Sequence, residues 1–141
     1  MAVNISRICG IIAPLSGLLF IWIAVHNSPW FRWIEEDLSV LGEKGSATAF
    51  FSWGLALSAL LSMLFVIGLS KGLFSQNQPM GYTGIILLVL GSLALAMVGL
   101  FPRTKIIPHN ITSIAFFTLV PSGIFFRSLF NKIRAIALGV I

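Results

Sequence analysis

Residues 47–69 read ATAFFSWGLALSALLSMLFVIGL, 23 positions without one charged side chain. At 1.5 Å per residue, a helix of that length extends about 35 Å, enough to cross a hydrocarbon core of about 30 Å. Within it Gly54, Ser58 and Ser62 recur every four residues and so share one helical face. Small side chains on a shared face let backbones approach closely in lipid, where burial of apolar surface gives little drive.

Three further runs, 8–25, 82–101 and 111–126, are also free of Asp, Glu, Lys and Arg. The expected architecture is therefore all-α: one integral membrane bundle over residues 1–141, with four full transmembrane helices. A last apolar run, AIALGVI from residue 135, covers only about 10 Å and is expected as a partial or truncated fifth helix. The composition agrees, with 57% hydrophobic and 9% charged residues and a mean hydropathy of +1.01, against roughly 25% charged in soluble domains. The first run is read as a retained span: its 18 residues exceed the about 7–15 of a signal-peptide core, and AVHNSPW offers no small-x-small cleavage site.

Cys9 is the one cysteine, which excludes disulfide scaffolds and cysteine-rich zinc sites within the chain. The net charge of +5 and the pI near 10.2 come from bases placed singly or in small groups at membrane borders. That placement points to anionic lipid and excludes a nucleic-acid partner.

Four spans place the loops alternately on two sides. The first side carries Arg7, Lys71, Arg127, Lys132 and Arg134, and the second Arg32, Lys44, Arg103 and Lys105. The excess of five over four favours a cytoplasmic amino terminus, and the cell (plasma) membrane is the expected location. Trp22, Trp30, Trp33 and Trp53 all fall at the second side, at headgroup level, and PWFRWIEEDL (29–38) is expected as a short interfacial helix started by Pro29. Gly42, closing SVLG, reads as a turn glycine. Gly84, Gly91 and Gly99 form a second packing seam, and Pro14 and Pro121 are expected to kink their spans.

Every carboxylate, Glu35, Glu36, Asp37 and Glu43, lies in the first second-side loop. His26 borders that loop, and Arg103, Lys105 and His109 occupy the other. Three chemistries fit. Glu35, Glu36 and Asp37 pair with bases such as Arg103 and lock the loops together. Alternatively, Arg103, Lys105 and His109 hold a lipid phosphate flanked by Trp30 and Trp33. Thirdly, His26, Glu36, Asp37 and His109 supply weak candidates for a divalent metal and an activated water, without the H-E-x-x-H spacing that would mark one. Ser39, Thr112 and Ser113 read as helix caps rather than nucleophiles. The spans carry no charge at mid-membrane depth, which argues against an ion-coupled transporter.

The sequence DLSVLG after the first span, the span AFFSWGLALSALL, and GLFPRTKIIPHNITS between the third and fourth resemble the multi-pass membrane proteins grouped as domain of unknown function 998. The resemblance covers about residues 10–126 and rests most on Asp37-Leu38-Ser39, Leu41-Gly42, Phe101-Pro102 and His109. It implies a bundle of usually five or six spans and brings no established activity. Members often carry an acid soon after the Phe-Pro pair, where this chain has Arg103 and Thr104.

Asp37 and His109 are the strongest functional candidates: Asp37 as acceptor from Arg103 or the backbone, and His109 as a titratable donor at the mouth of a pocket between spans. The expected function is non-enzymatic: an accessory subunit or lipid-binding protein without cofactor, assembling as a homo-oligomer or within a larger complex. The alternative class is a membrane-embedded hydrolase or lipid-modifying enzyme.

Overall fold

The computed structural model describes residues 2–71 and 79–137. Four helices, α1 (Ala2–His26), α2 (Ala47–Lys71), α3 (Pro79–Leu100) and α4 (Ile106–Ala137), are joined on the second side by a long loop and a short turn. The loop contains a 3-10 helix, Leu38–Gly42. Each of the four has a stretch apolar and long enough to span: Ile5–His26, Ala47–Ser70, Gly81–Leu100 and Ile106–Ile133. In lipid the backbone must satisfy its own hydrogen bonds, and a continuous helix does so within one segment. The fourth helix begins before the expected residue 111 and continues past 126, carrying Arg127 and the exposed Lys132, a long basic side chain of the kind that reaches the interface. Residues 135–137, the start of the run expected as a partial fifth helix, continue α4. Residues 138–141 lie outside the described residues.

The helices pack in chain order, α1 on α2, α2 on α3 and α3 on α4. Among the described residues no interface of that extent joins α1 to α4, yet all four helices line one cavity, so they form a curved row with a cleft between its edges. Only 11% of the α4 span is buried within the chain, against 39% for α3. Thus α4 is an edge helix and α3 an interior one.

Small residues make the close approaches. Gly54 sits against the Phe20 side chain, so that a Cβ there would overlap it. Ser58 donates from Oγ to the Ala13 carbonyl at 2.9 Å and lies 3.2 Å from Ser16 Oγ, tying α2 to α1 beside Pro14. The expected seam on α3 divides between two neighbours. Gly84 and Gly91 face α4, where a Cβ on Gly84 would lie 3.0 Å from the Arg127 backbone nitrogen, while Gly99 faces the Ser52 carbonyl of α2. All three are buried inside the chain.

The loop 27–46 corrects two expectations. In place of the interfacial helix expected over 29–38, residues 29–37 form turns and irregular segments and Leu38 opens the 3-10 helix. Helical bonding stops after one turn, with Glu36 N donating to the Arg32 carbonyl at 2.9 Å. The chain is drawn inward because Phe31, Leu41 and Val40 are buried. Phe31 and Leu41 join Ala24, Ala47, Phe51 and Leu55 in one core cluster at the second side. Gly42 lies inside the 3-10 helix and packs closely, since a Cβ would lie 3.1 Å from Phe51 Cδ1. The left-handed residue is Gly45, at φ +66°. A second cluster, Val66, Ile85, Leu88 and Phe130, closes the first side.

Gly54→Ala should lower the melting temperature in detergent, by an overpacking cost of about 1–3 kcal/mol, while Ala49→Leu on the exposed face of α2 leaves it unchanged. An unchanged melting temperature for Gly54→Ala would show that Phe20 yields without cost.

Candidate functional site

A cavity of about 1190 Å³ occupies the cleft and is lined by residues of all four helices and the 3-10 turn. Its walls are apolar for most of their depth, with Ile21, Leu55, Phe65, Leu95, Phe116 and Val120 among them. At the second-side mouth the lining changes to Asp37, Ser39, Arg103, His109 and Asn110. The two second-side loops therefore meet at one opening.

The loops are joined by the ion pair of Asp37 Oδ2 with Arg103 Nη1, at 2.7 Å. Asp37 is positioned by the extended backbone that precedes the 3-10 helix, and its side chain makes no cap bond to that helix, which leaves it for Arg103. Arg103 is positioned by the turn after α3, closed by Lys105 N donating to the Pro102 carbonyl at 2.9 Å. Both side chains are well exposed, at 71% and 43%, so the pair is a geometric clasp with a small contribution to stability.

His109 lies in the first turn of α4 and is buried to 6% exposure. Its Nδ1 is 2.8 Å from the Phe101 carbonyl. A carbonyl only accepts, so Nδ1 carries the proton and the neutral ring keeps its lone pair on Nε2. That bond fixes the ring in the cavity wall and pins the start of α4 to the end of α3. Thr112 Oγ1 donates to the Pro108 and His109 carbonyls, so it supports the helix from within rather than capping it.

The other candidates disperse. Glu35 pairs with Arg32 at 3.0 Å within one turn of chain, and among the described residues no ion pair engages Glu36 or Glu43. Lys105 Nζ lies over Phe101 at 5.9 Å and Lys44 Nζ over Trp30 at 5.2 Å. His26 is exposed and stacks on Trp22 at 5.5 Å. Among the described residues no group of three or more His, Cys, Asp or Glu side chains converges as a metal site, so His26, Glu36, Asp37 and His109 are not assembled into one. Trp30, Trp33 and Lys105 lie outside the cavity wall. Trp22, Trp33 and Trp53 are 63%, 66% and 71% exposed, as an aromatic belt at headgroup level requires.

The opposite end of the cavity holds residues that the loop-centred reading missed: Arg127, Ser128 and Asn131 of α4. The Arg127 guanidinium lies over the Phe130 ring at 5.3 Å. The available signal was the spacing: His109, Ser113, Phe116, Val120, Arg127 and Asn131 follow one another at three, four or seven residues and so share one face of α4.

The chain belongs to the family described as "Protein of unknown function (DUF998)", whose model matches residues 11–140. No curated protein and no solved structure matches the chain.

A double-mutant cycle of Asp37→Ala and Arg103→Ala in detergent should give a coupling of no more than about 1 kcal/mol that falls as salt is raised. A coupling of several kcal/mol, insensitive to salt, would show that the mouth is desolvated.

Proposed function

We propose that this chain is a non-enzymatic lipid-binding protein of the cell membrane, holding a phospholipid in the α1/α4 cleft with the headgroup at the second-side mouth. The carrying observation is the cavity itself, mostly apolar through the bilayer depth and polar where the headgroup would lie. Its volume exceeds the about 300–1,000 Å³ of small-molecule pockets and leaves room for a headgroup with the adjoining part of its acyl chains. Arg103 supplies charge-assisted hydrogen bonds to a phosphate. Asp37 orients that guanidinium and accepts from a headgroup amine or hydroxyl. His109 Nε2, the ring nitrogen that the Phe101 carbonyl does not engage, adds a polar group at the mouth. The excess of Lys and Arg on the first side favours a cytoplasmic amino terminus.

Two observations favour binding over hydrolysis and over assembly through the glycine seams. Among the described residues no hydrogen bond joins Asp37 or Glu36 to either histidine, so no carboxylate orients an imidazole as a base. Gly54, Gly84, Gly91 and Gly99 are occupied by contacts inside the chain, which leaves the cleft as the surface to be filled.

Native mass spectrometry from gentle detergent should record the chain with retained phospholipid. Arg103→Glu should reduce that occupancy about tenfold or more, because hydrogen bonds to charged groups contribute about 1.5–3 kcal/mol and each 1.4 kcal/mol is a factor of ten. A lipid-free chain carrying a stoichiometric metal that is lost on Asp37→Ala would overturn this reading in favour of a metallohydrolase.

A further inference from the structure

A cavity that only stores lipid needs one polar mouth and apolar walls beneath it. This cleft is polar at both ends and carries hydroxyls between them. From His109 to Arg127 the α4 face rises about 27 Å at 1.5 Å per residue, close to the hydrocarbon thickness of about 30 Å. The cavity is lined at one end by Arg103, His109 and Asn110 and at the other by Arg127, Ser128 and Asn131.

The intervening polar groups are graded in depth. Measured along each helix from its second-side end, at the same rise, Ser113 lies about 10 Å down, Ser92 about 12 Å, Ser58 about 16 Å, Ser62 about 22 Å and Arg127 about 31 Å. The four serines come from α2, α3 and α4 and all line the cavity. Ser58 and Ser92 each donate their hydroxyl proton to a backbone carbonyl, of Ala13 and Leu88, which turns their oxygen lone pairs to the role of acceptor. Since among the described residues no extensive interface closes α1 against α4, a molecule in the cleft can keep its tails in the surrounding bilayer while its head stays against these side chains.

We propose that the cleft is a path along which phospholipid headgroups pass from one leaflet to the other, with the acyl chains remaining in the membrane between α1 and α4. The proposal rests on the lipid-binding reading above and extends it from one mouth to both. The occupant follows from charge complementarity: a guanidinium at each mouth fits a phosphate arriving from either leaflet. Polar side chains at successive depths replace part of the hydration a headgroup loses in hydrocarbon. Exchange along such a path is passive and runs in both directions.

The test uses the full chain in phosphatidylcholine/phosphatidylglycerol vesicles that carry a headgroup-labelled fluorescent phospholipid in both leaflets. A membrane-impermeant reductant is added outside, and a soluble dye is trapped within as a leak control. Wild-type vesicles should lose inner-leaflet as well as outer-leaflet fluorescence while retaining the trapped dye, and protein-free vesicles only the outer share. Ser62→Leu with Ser113→Leu should abolish the inner-leaflet phase while the variant keeps the wild-type helix content by circular dichroism.

Wild-type vesicles that match protein-free ones, with lipid still retained, would overturn passage and leave binding standing. Loss of the trapped dye, or a double variant that exchanges like wild type, would likewise overturn the path. Absence of retained lipid would overturn both readings, as would a second copy or another helix held in the cleft in place of lipid.

Discussion

The architecture depends on how closely α2 can approach its neighbours. In a bilayer, apolar surface gains little by leaving lipid for protein, so helix association relies on dense packing and a few hydrogen bonds. Gly54 against Phe20, and Ser58 reaching the Ala13 carbonyl at 2.9 Å, supply both on the α1 side. Gly99 admits the backbone of α2 to α3, and Gly84 and Gly91 admit α4. Each interface uses a different face, so the row of helices curves and its two ends do not meet. The cleft is a consequence of that curvature.

The second-side loop completes what the helices leave open. Its buried residues, Phe31, Val40 and Leu41, hold a segment with four carboxylates against the bundle. Burial of three apolar side chains contributes far more than the exposed Asp37–Arg103 pair. The apolar anchors therefore set where the loop lies, and the ion pair sets which side chains face each other at the mouth. The same division explains why the acids do not act as a group: two point to partners, Arg32 and Arg103, and none gathers with the histidines.

Membership of the DUF998 family fits the parts of the chain with the clearest local geometry. The DLSVLG segment contains the 3-10 helix and its buried Val40 and Leu41. The Phe-Pro pair begins the turn that His109 closes through the Phe101 carbonyl. Both are fixed by main-chain bonding and burial, which makes them structural determinants of the mouth.

The sequence by itself determined the membrane class, the four helices and the side on which the polar residues collect. Those follow from charge-free run length and from alternation across a bilayer, which are properties of a chain read in one dimension. It also marked Gly54, Ser58, Gly84, Gly91 and Gly99 as packing positions, without saying against what. Only the tertiary structure decided that these glycines are consumed within the chain, that the loop after α1 is anchored by Phe31, Val40 and Leu41 instead of forming a surface helix, and that Arg103 chooses Asp37. It also decided that His109 and Arg127 belong to one cavity. The physical reason is that helix periodicity fixes which residues share a face, whereas the partner of each face is set by packing between segments far apart in sequence.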